Sequence, residues 1–367
     1  MVLLFGNIFS LHYLCDEKDI EEKQRTISLD WMRFVACVLV ILQHVTEFYY
    51  VSTEFLPART ENAFLVGIFN SISLVSVPLF VMISGYLLLP MKQDTADFFK
   101  RRFTRVLYPF LVWSVVYSIY FALLRHDSLM QWVQHVLCIP ITYEAEHLWY
   151  IYMLIGLYVL IPVLTPWLKS VSRRELEAYL VLWAFTTLLP YVKLLFPTIG
   201  AAAFFNPSPT IYYFSGFVGY LILGHYIHRY HPFNRVQAIT GIVVGWIITS
   251  VIFLYQLAHC NTLEELELSW GFCTLNVLLM CAGVFTLLHG IKKSASSLME
   301  RWVVSTSKLS YGIYLCHVLW LRLYMQLFMT LFDNVIWVAL CVVPCTFISS
   351  YLTIWILSRL PRAKFLY

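Results

Sequence analysis

Charge is what this sequence has least of. Of its 367 residues only 13% are Asp, Glu, Lys or Arg, while 60% are hydrophobic and 17% aromatic. A soluble globular chain carries about 25% charged residues, so a soluble fold is excluded. The mean hydropathy of +0.72 points instead to an integral membrane protein. A net charge of +4 reflects where the loops put their basic residues and carries no nucleic-acid signature. Also missing are an internal repeat, a low-complexity linker and anything resembling an appended soluble domain. The first apolar run, MVLLFGNIFSLHYL, is too short to span and lacks a basic start and a small-residue cleavage site. It reads as an interfacial or loose tail rather than a signal peptide.

What is present is a series of ten apolar runs of membrane-spanning length, near 28–50, 64–89, 106–124, 148–168, 178–197, 211–228, 236–257, 270–290, 309–331 and 335–357. The expected fold is therefore all-α and polytopic, with about ten transmembrane helices. Basic residues set its orientation. Twenty of the 25 Lys and Arg residues fall before the first run, in the even-numbered links or after the last run. The odd-numbered links hold only Arg59, Arg125 and Lys193. Both termini are expected in the cytoplasm, with a tail over 1–27, one membrane domain over 28–357 and a second tail over 358–367. Most cysteines lie in spans and are expected to pack as small hydrophobes. Cys138 and Cys260 sit in outer links, where a disulfide and two separate thiols are both open.

Few polar groups enter the spans, and each has a bland reading beside a functional one. In RFVACVLVILQH, Arg33 and His44 are eleven residues apart. Eleven residues make three helical turns plus ~20°, so both lie on one face, ~16 Å apart along the axis. An ionisable residue within a span is a functional candidate by default. Arg33 is close enough to its helix end to snorkel, paired with Asp30 as a plain anchor. His44 alone is equally a satisfied interhelical hydrogen-bonder. Glu47, one turn on, shifts the balance, because a carboxylate orients an imidazole and raises its basicity.

In FKRRFTRVLYP, Arg102 and Arg105 stand one turn apart at the start of the third span. Guanidinium forks suit phosphate oxygens, although a positive-inside signal explains them too. Ser84 precedes Gly85 in FVMISGYLLL, a pair that also allows close helix packing. EAEHLWYIY places His147 and Trp149 at the outer interface, where an aromatic belt accounts for Trp149. His317, in SYGIYLCHVLW, has the same default status as His44. Cys316 precedes it, but adjacent helical residues point apart. Arg322 is expected nearer the outer side, facing a cavity. His225, His228 and His231 recur at helical spacing, where a polar helix end is favoured over a metal site.

Together these segments resemble the acyltransferase-3 family of membrane O-acyltransferases. SLDWMRFVACVLVILQH is similar to the family's first helix, PLFVMISGYLLL to its second-helix signature and RRFTRVLYPF to the arginine pair before the third. HLWYIYMLIGLYVLIP and LSYGIYLCHVLW resemble the fourth and ninth helices, and NSISLVSVPLFVMISGYL points to the branch that O-acetylates surface polysaccharides, including enterobacterial common antigen.

The resemblance implies a bacterial inner-membrane enzyme with no permanently bound cofactor. Acyl-coenzyme A, with acetyl-coenzyme A favoured, would be the cosubstrate, and a glycan or lipid-linked oligosaccharide the acceptor. His44 would be the catalytic histidine with Arg33 as its partner. Arg102, Arg105 and Ser84 would form the acyl-coenzyme A site, with the two arginines holding the donor's phosphates. His147, Trp149, His317 and Arg322 are candidates for the acceptor side. Only ten residues follow the last span, so transfer is expected within the membrane domain or through a separate protein. His44 would act as general base, or would carry the acyl group itself. The rival from another class is a transporter or flippase of a lipid-linked sugar, clamping substrate with its intramembrane cations.

Overall fold

The computed structural model describes residues 26–52, 54–195, 216–292 and 298–360, together with 363 and 366. Cys15, Lys18, Lys23, Arg25, Lys293, Arg362, Lys364 and the start of the sixth apolar run lie outside them.

Helix α1 covers Ile27–Thr46 and tightens into a 3-10 turn over Glu47–Tyr49. The second run is broken in the middle. Helix α2, Glu61–Phe69, passes through a 3-10 segment, Asn70–Val75, into α3, Ser76–Leu88. The cause is local: Ser71 donates to the Gly67 carbonyl at 2.6 Å and Ser73 to that of Asn70 at 2.7 Å. Such side-chain bonds compete with the α-helical ladder.

Helix α4, Thr95–Arg125, starts well before the expected residue 106 because Asp94 caps it, accepting from the Asp97 amide at 2.9 Å. At ~1.5 Å per residue its 31 residues run ~46 Å, beyond a ~30 Å hydrocarbon core. Arg102 and Arg105 therefore stand on a helical extension and not in a loop. Helix α5, Leu129–Cys138, is short and amphipathic and buries no residue. Helix α6 is Trp149–Ser170, preceded by a 3-10 turn at Glu146–Leu148. The fifth run divides into α7, Arg173–Thr186, and α8, Leu189–Leu195. Pro190 cannot donate back to residue 186, and the Thr186 and Thr187 hydroxyls donate to the Trp183 and Ala184 carbonyls at 2.6 Å each.

The rest comprises α9 (Val218–Tyr230), α10 (Arg235–His259), α11 (Leu263–Leu266), α12 (Leu275–His289), α13 (Leu298–Phe328) and α14 (Val335–Arg359). No strand occurs among the described residues, and the only extended pairing there is an isolated bridge, Val51–Pro57. All ten apolar runs carry helix. Seven stretches among the described residues are long and apolar enough to cross a membrane. The other three places hold the interrupted α7–α8 pair, the described part of α9 and the polar, deeply buried α13. The protein is an all-α polytopic membrane protein, as expected.

Helix α1 is central, packing against α3, α12, α13 and α14. Helix α3 crosses α9 at backbone contact. A Cβ added to Gly85 would lie 1.8 Å from the Leu221 carbonyl oxygen, and one added to Gly224 would lie 2.1 Å from that of Met82. Small residues permit such approaches between membrane helices. Because the obstacle is backbone, no rotamer change relieves it. Gly85→Ala is expected to destabilise the fold by about 1–3 kcal/mol, read as a lower thermal midpoint in lipid nanodiscs. An unchanged midpoint would mean that the crossing opens without cost.

Candidate active site

Helices α1 and α13 run side by side in the same direction, and their polar residues meet level by level. Arg33 Nη1 donates to Ser307 Oγ at 3.2 Å and lies 3.7 Å from Asp30 Oδ1. Asp30 is almost completely buried. Arg33 is thus turned into the bundle toward α13. One turn on, the Cys37 thiol faces the Ser310 carbonyl at 3.9 Å. At the far end of the seam His44 meets His317, with ring centroids 5.4 Å apart.

His44 Nδ1 is 3.1 Å from Glu47 Oε2. An ionised carboxylate only accepts, so Nδ1 carries the proton and Nε2 keeps its lone pair. The pairing expected from their spacing is present. His147 joins from the start of α6, its ring 5.1 Å from His317 and 6.4 Å from His44. Backbone carbonyls hold the two inner rings. His317 Nδ1 donates to Tyr314 O at 2.6 Å, and His147 Nε2 faces Leu315 O at 3.4 Å. Tyr314 in turn donates its hydroxyl to the His147 carbonyl. His317 Nε2 and His147 Nδ1 are buried with no hydrogen-bond partner. Three segments far apart in sequence thus bring three histidines together.

A cavity of about 370 Å³ lies against this cluster. It is lined by His44, Glu47, His147, Trp149 and Tyr150 together with Tyr50, Glu267, Trp270 and Phe272. Trp149 stacks on Phe272 at 5.8 Å, so it is part of a built wall as well as an interfacial residue. The cavity is bounded by the end of α1, the start of α6 and the link before α12, the side on which the links carry few basic residues.

At the other end of the bundle, Arg33, Arg102 and Arg105 all lie within electrostatic reach of the buried Tyr158 hydroxyl. Arg102 is half-buried with an unpartnered Nε, whereas Arg105 is exposed. Polar chemistry is therefore gathered at two depths: arginines at one, histidines and carboxylates at the other.

The sequence profile of one known family, described as an acyltransferase domain, matches residues 26–358. This chain belongs to the acyltransferase-3 family. No curated protein and no solved structure matches it. The matched region of this acyltransferase begins beside the first residue of α1 and ends in the last turn of α14.

Not every candidate residue of the acyltransferase reaches these two centres. Ser84 donates its hydroxyl to the Phe80 carbonyl of its own helix at 3.1 Å. Arg322 does not line the cavity; it is exposed, with its guanidinium 5.0 Å above the Phe121 ring. Five residues beyond His317 on α13, it points ~140° away from that histidine's face and toward α4. His228 contacts His289, Nδ1 to Nε2 at 3.2 Å, and packs on Tyr86. Among the described residues no group of three or more His, Cys, Asp or Glu is arranged to hold a metal ion. Cys138 and Cys260 are separate free thiols.

Sequence reasoning did not single out Tyr50, Glu146, Glu267, Trp270, Tyr314 or Ser307. Glu146 adjoins His147 in the quoted EAEHLWYIY segment, but a loop carboxylate at a membrane surface carries no signal of its own. The Tyr50–Glu267 bond, 2.8 Å, joins residues 217 apart. No local pattern marks such a pair.

Proposed function

We propose that this acyltransferase is an O-acetyltransferase of the bacterial inner membrane. It takes the acyl group from cytoplasmic acyl-coenzyme A and places it on a hydroxyl of a surface glycan or its lipid-linked precursor. The observation that carries the reading is the His44–Glu47 pair, set in an aromatic and acidic cavity at the opposite end of the α1 face from Arg33. The distribution of basic residues favours the arginine end as cytoplasmic, so donor and acceptor would enter from opposite sides.

In this mechanism the acceptor hydroxyl lies beside His44 Nε2, which removes its proton as the oxygen attacks the thioester carbonyl carbon. The new C–O bond forms, the C–S bond breaks, and the imidazolium returns the proton to the departing thiolate as coenzyme A. Glu47 holds the tautomer and stabilises the transient positive charge. Arg102 and Arg105 take the donor's phosphates, and Arg33 guides the arm between α1 and α13. That seam is closed: the void bounded by Cys37, Phe80 and His317 is about 10 Å³, near the smallest space that holds a water. Passage of the arm requires the two helices to part. Ser84 is left to packing in this reading.

The test is thioester turnover by the purified protein. Free coenzyme A is expected from acetyl-coenzyme A only when a glycoside acceptor is present. Absence of release with any acceptor would favour the transporter reading. Arg102→Ala is expected to weaken donor binding about 10- to 150-fold, the equivalent of one charge-assisted contact of about 1.5–3 kcal/mol. Arg102→Lys should restore only part of it, since the fork is lost. The exposed Arg105 should matter less. Undiminished donor affinity in Arg102→Ala would reduce the pair to a topology signal.

A further inference from the structure

Building on the glycan reading above, we propose that the cavity beside His44 selects sugars by charge. The unit it accepts is uncharged or amine-bearing, acid-bearing sugars are refused, and Glu146 and Glu267 set that choice.

Three carboxylates line the cavity, those of Glu47, Glu146 and Glu267, with no Lys or Arg among its lining residues. The only group there able to carry positive charge at neutral pH is imidazole. The carboxylates act as one field: Glu47 and Glu146 are both within electrostatic reach of Glu267 and of the Tyr50 hydroxyl. Glu47 has a partner in His44, and Glu267 accepts from Tyr50 Oη at 2.8 Å. One such bond leaves most of a carboxylate's acceptor capacity in hand, which suits the hydroxyl and amine donors of a sugar.

The rest of the wall fits the same ligand. Trp149 stacks on Phe272, and Trp270 stacks on Phe253 at 4.0 Å while meeting Tyr50 edge-on at 5.0 Å. These rigid faces offer apolar surface to the C–H side of a pyranose. Two buried polar atoms on lining residues have no partner: Trp270 Nε1 and His147 Nδ1, on side chains 7% and 3% exposed. Buried polar atoms of this kind are rare in the absence of a ligand or water. A volume of about 370 Å³ sits at the small end of ligand pockets, which run about 300–1,000 Å³.

Charge decides what else can enter. A uronate would bring a fourth carboxylate into a partly desolvated space that already holds three, and like charges at such range repel strongly. An amine would be attracted, and a neutral sugar is indifferent to the field while satisfying its hydroxyls. The phosphates of a lipid-linked precursor must then stay outside the cavity, with only the distal sugar inserted.

The experiment uses the full chain in lipid nanodiscs, free of glycoside detergent. Saturation-transfer NMR would compare methyl glucoside, methyl glucosaminide and methyl glucuronide. The first two are expected to bind, with glucuronide at least about tenfold weaker, the ratio equivalent to about 1.4 kcal/mol. In Glu146→Gln/Glu267→Gln the gap between glucoside and glucuronide should narrow to within about threefold on the same scale. Glu146 is exposed, so Glu146→Gln alone serves if the double variant fails to fold, and it should narrow the gap in part. Equal binding of glucuronide and glucoside in the wild type would overturn the proposal. So would a gap that survives the substitutions, or a cavity that binds no glycoside. The same compounds offered with acetyl-coenzyme A separate the two readings. Selective binding without acylation of any acceptor would sink the transferase reading and leave the charge selection standing.

Discussion

His44→Ala is expected to lower acyl transfer about 10²–10⁴-fold per folded molecule, the usual contribution of a positioned general base. Membrane insertion and acyl-coenzyme A binding should survive, because the donor's charged groups are assigned to the opposite end of the bundle. The geometry behind the expectation is specific. Glu47 occupies Nδ1 at 3.1 Å, which leaves Nε2 as the basic nitrogen. His317 does not line the cavity, and His147, which does, faces a backbone carbonyl where His44 faces a carboxylate, so neither is expected to replace His44 fully. Glu47→Gln should cost less, as the amide oxygen still accepts from Nδ1 and only the charge is lost. The rate of coenzyme A release, normalised to monodisperse protein, makes the measurement. Near-normal activity per folded molecule in His44→Ala would remove the histidine from the mechanism. Rapid-quench mass spectrometry with donor alone separates direct transfer from a relay, since only the relay leaves an acyl group on His44.

How much of this was legible before the structure depends on how far each feature reaches along the chain. Arg33 and His44 share a face because a single period fixes their relation, and Glu47 is within one turn of His44. The same local logic gave the all-α fold and the approximate span positions. It failed at helix ends and interruptions. Hydropathy missed the polar first turns of α4, although Asp94 and Asp97 supply a capping signal there. It also smoothed over the 3-10 segment at Asn70–Val75 and the break before Pro190, which arise from hydroxyls and an imino nitrogen inside apolar runs. The cavity was beyond local reading altogether. Its acidic face joins the end of α1 to segments some 100 and 220 residues later, through Glu146 and Glu267. Sequence spacing named His147 and His317 one at a time, and only packing brings them within ring contact of His44.

Arg33→Ala should be costly in two ways that a second substitution can separate. Asp30 is 1% exposed and has Arg33 Nη1 at 3.7 Å, so removing the guanidinium withdraws a cation from a buried carboxylate. Arg33 is itself 24% exposed and reaches Asp30 only at 3.7 Å, so the loss is expected at about 1–3 kcal/mol, and the Ser307 hydrogen bond to α13 goes with it. Arg33→Ala is therefore expected to lower the thermal midpoint as well as transfer. Adding Asp30→Asn removes the charge that Arg33 offsets, so the double variant should recover most of the midpoint. Transfer should not recover with it. Arg33 stands at the end of the α1–α13 seam proposed to take the donor, within electrostatic reach of Tyr158 alongside Arg102 and Arg105. Loss of one charge-assisted donor contact corresponds to about 10- to 150-fold in kcat/KM for acyl-coenzyme A. Arg33→Lys should fall between, keeping charge for Asp30 while losing the second arm of the fork. Midpoints and kcat/KM measured on all three variants decide the matter. If Asp30→Asn/Arg33→Ala regains full kcat/KM together with its midpoint, Arg33 is a structural partner of Asp30, and donor placement falls to Arg102 and its neighbours alone.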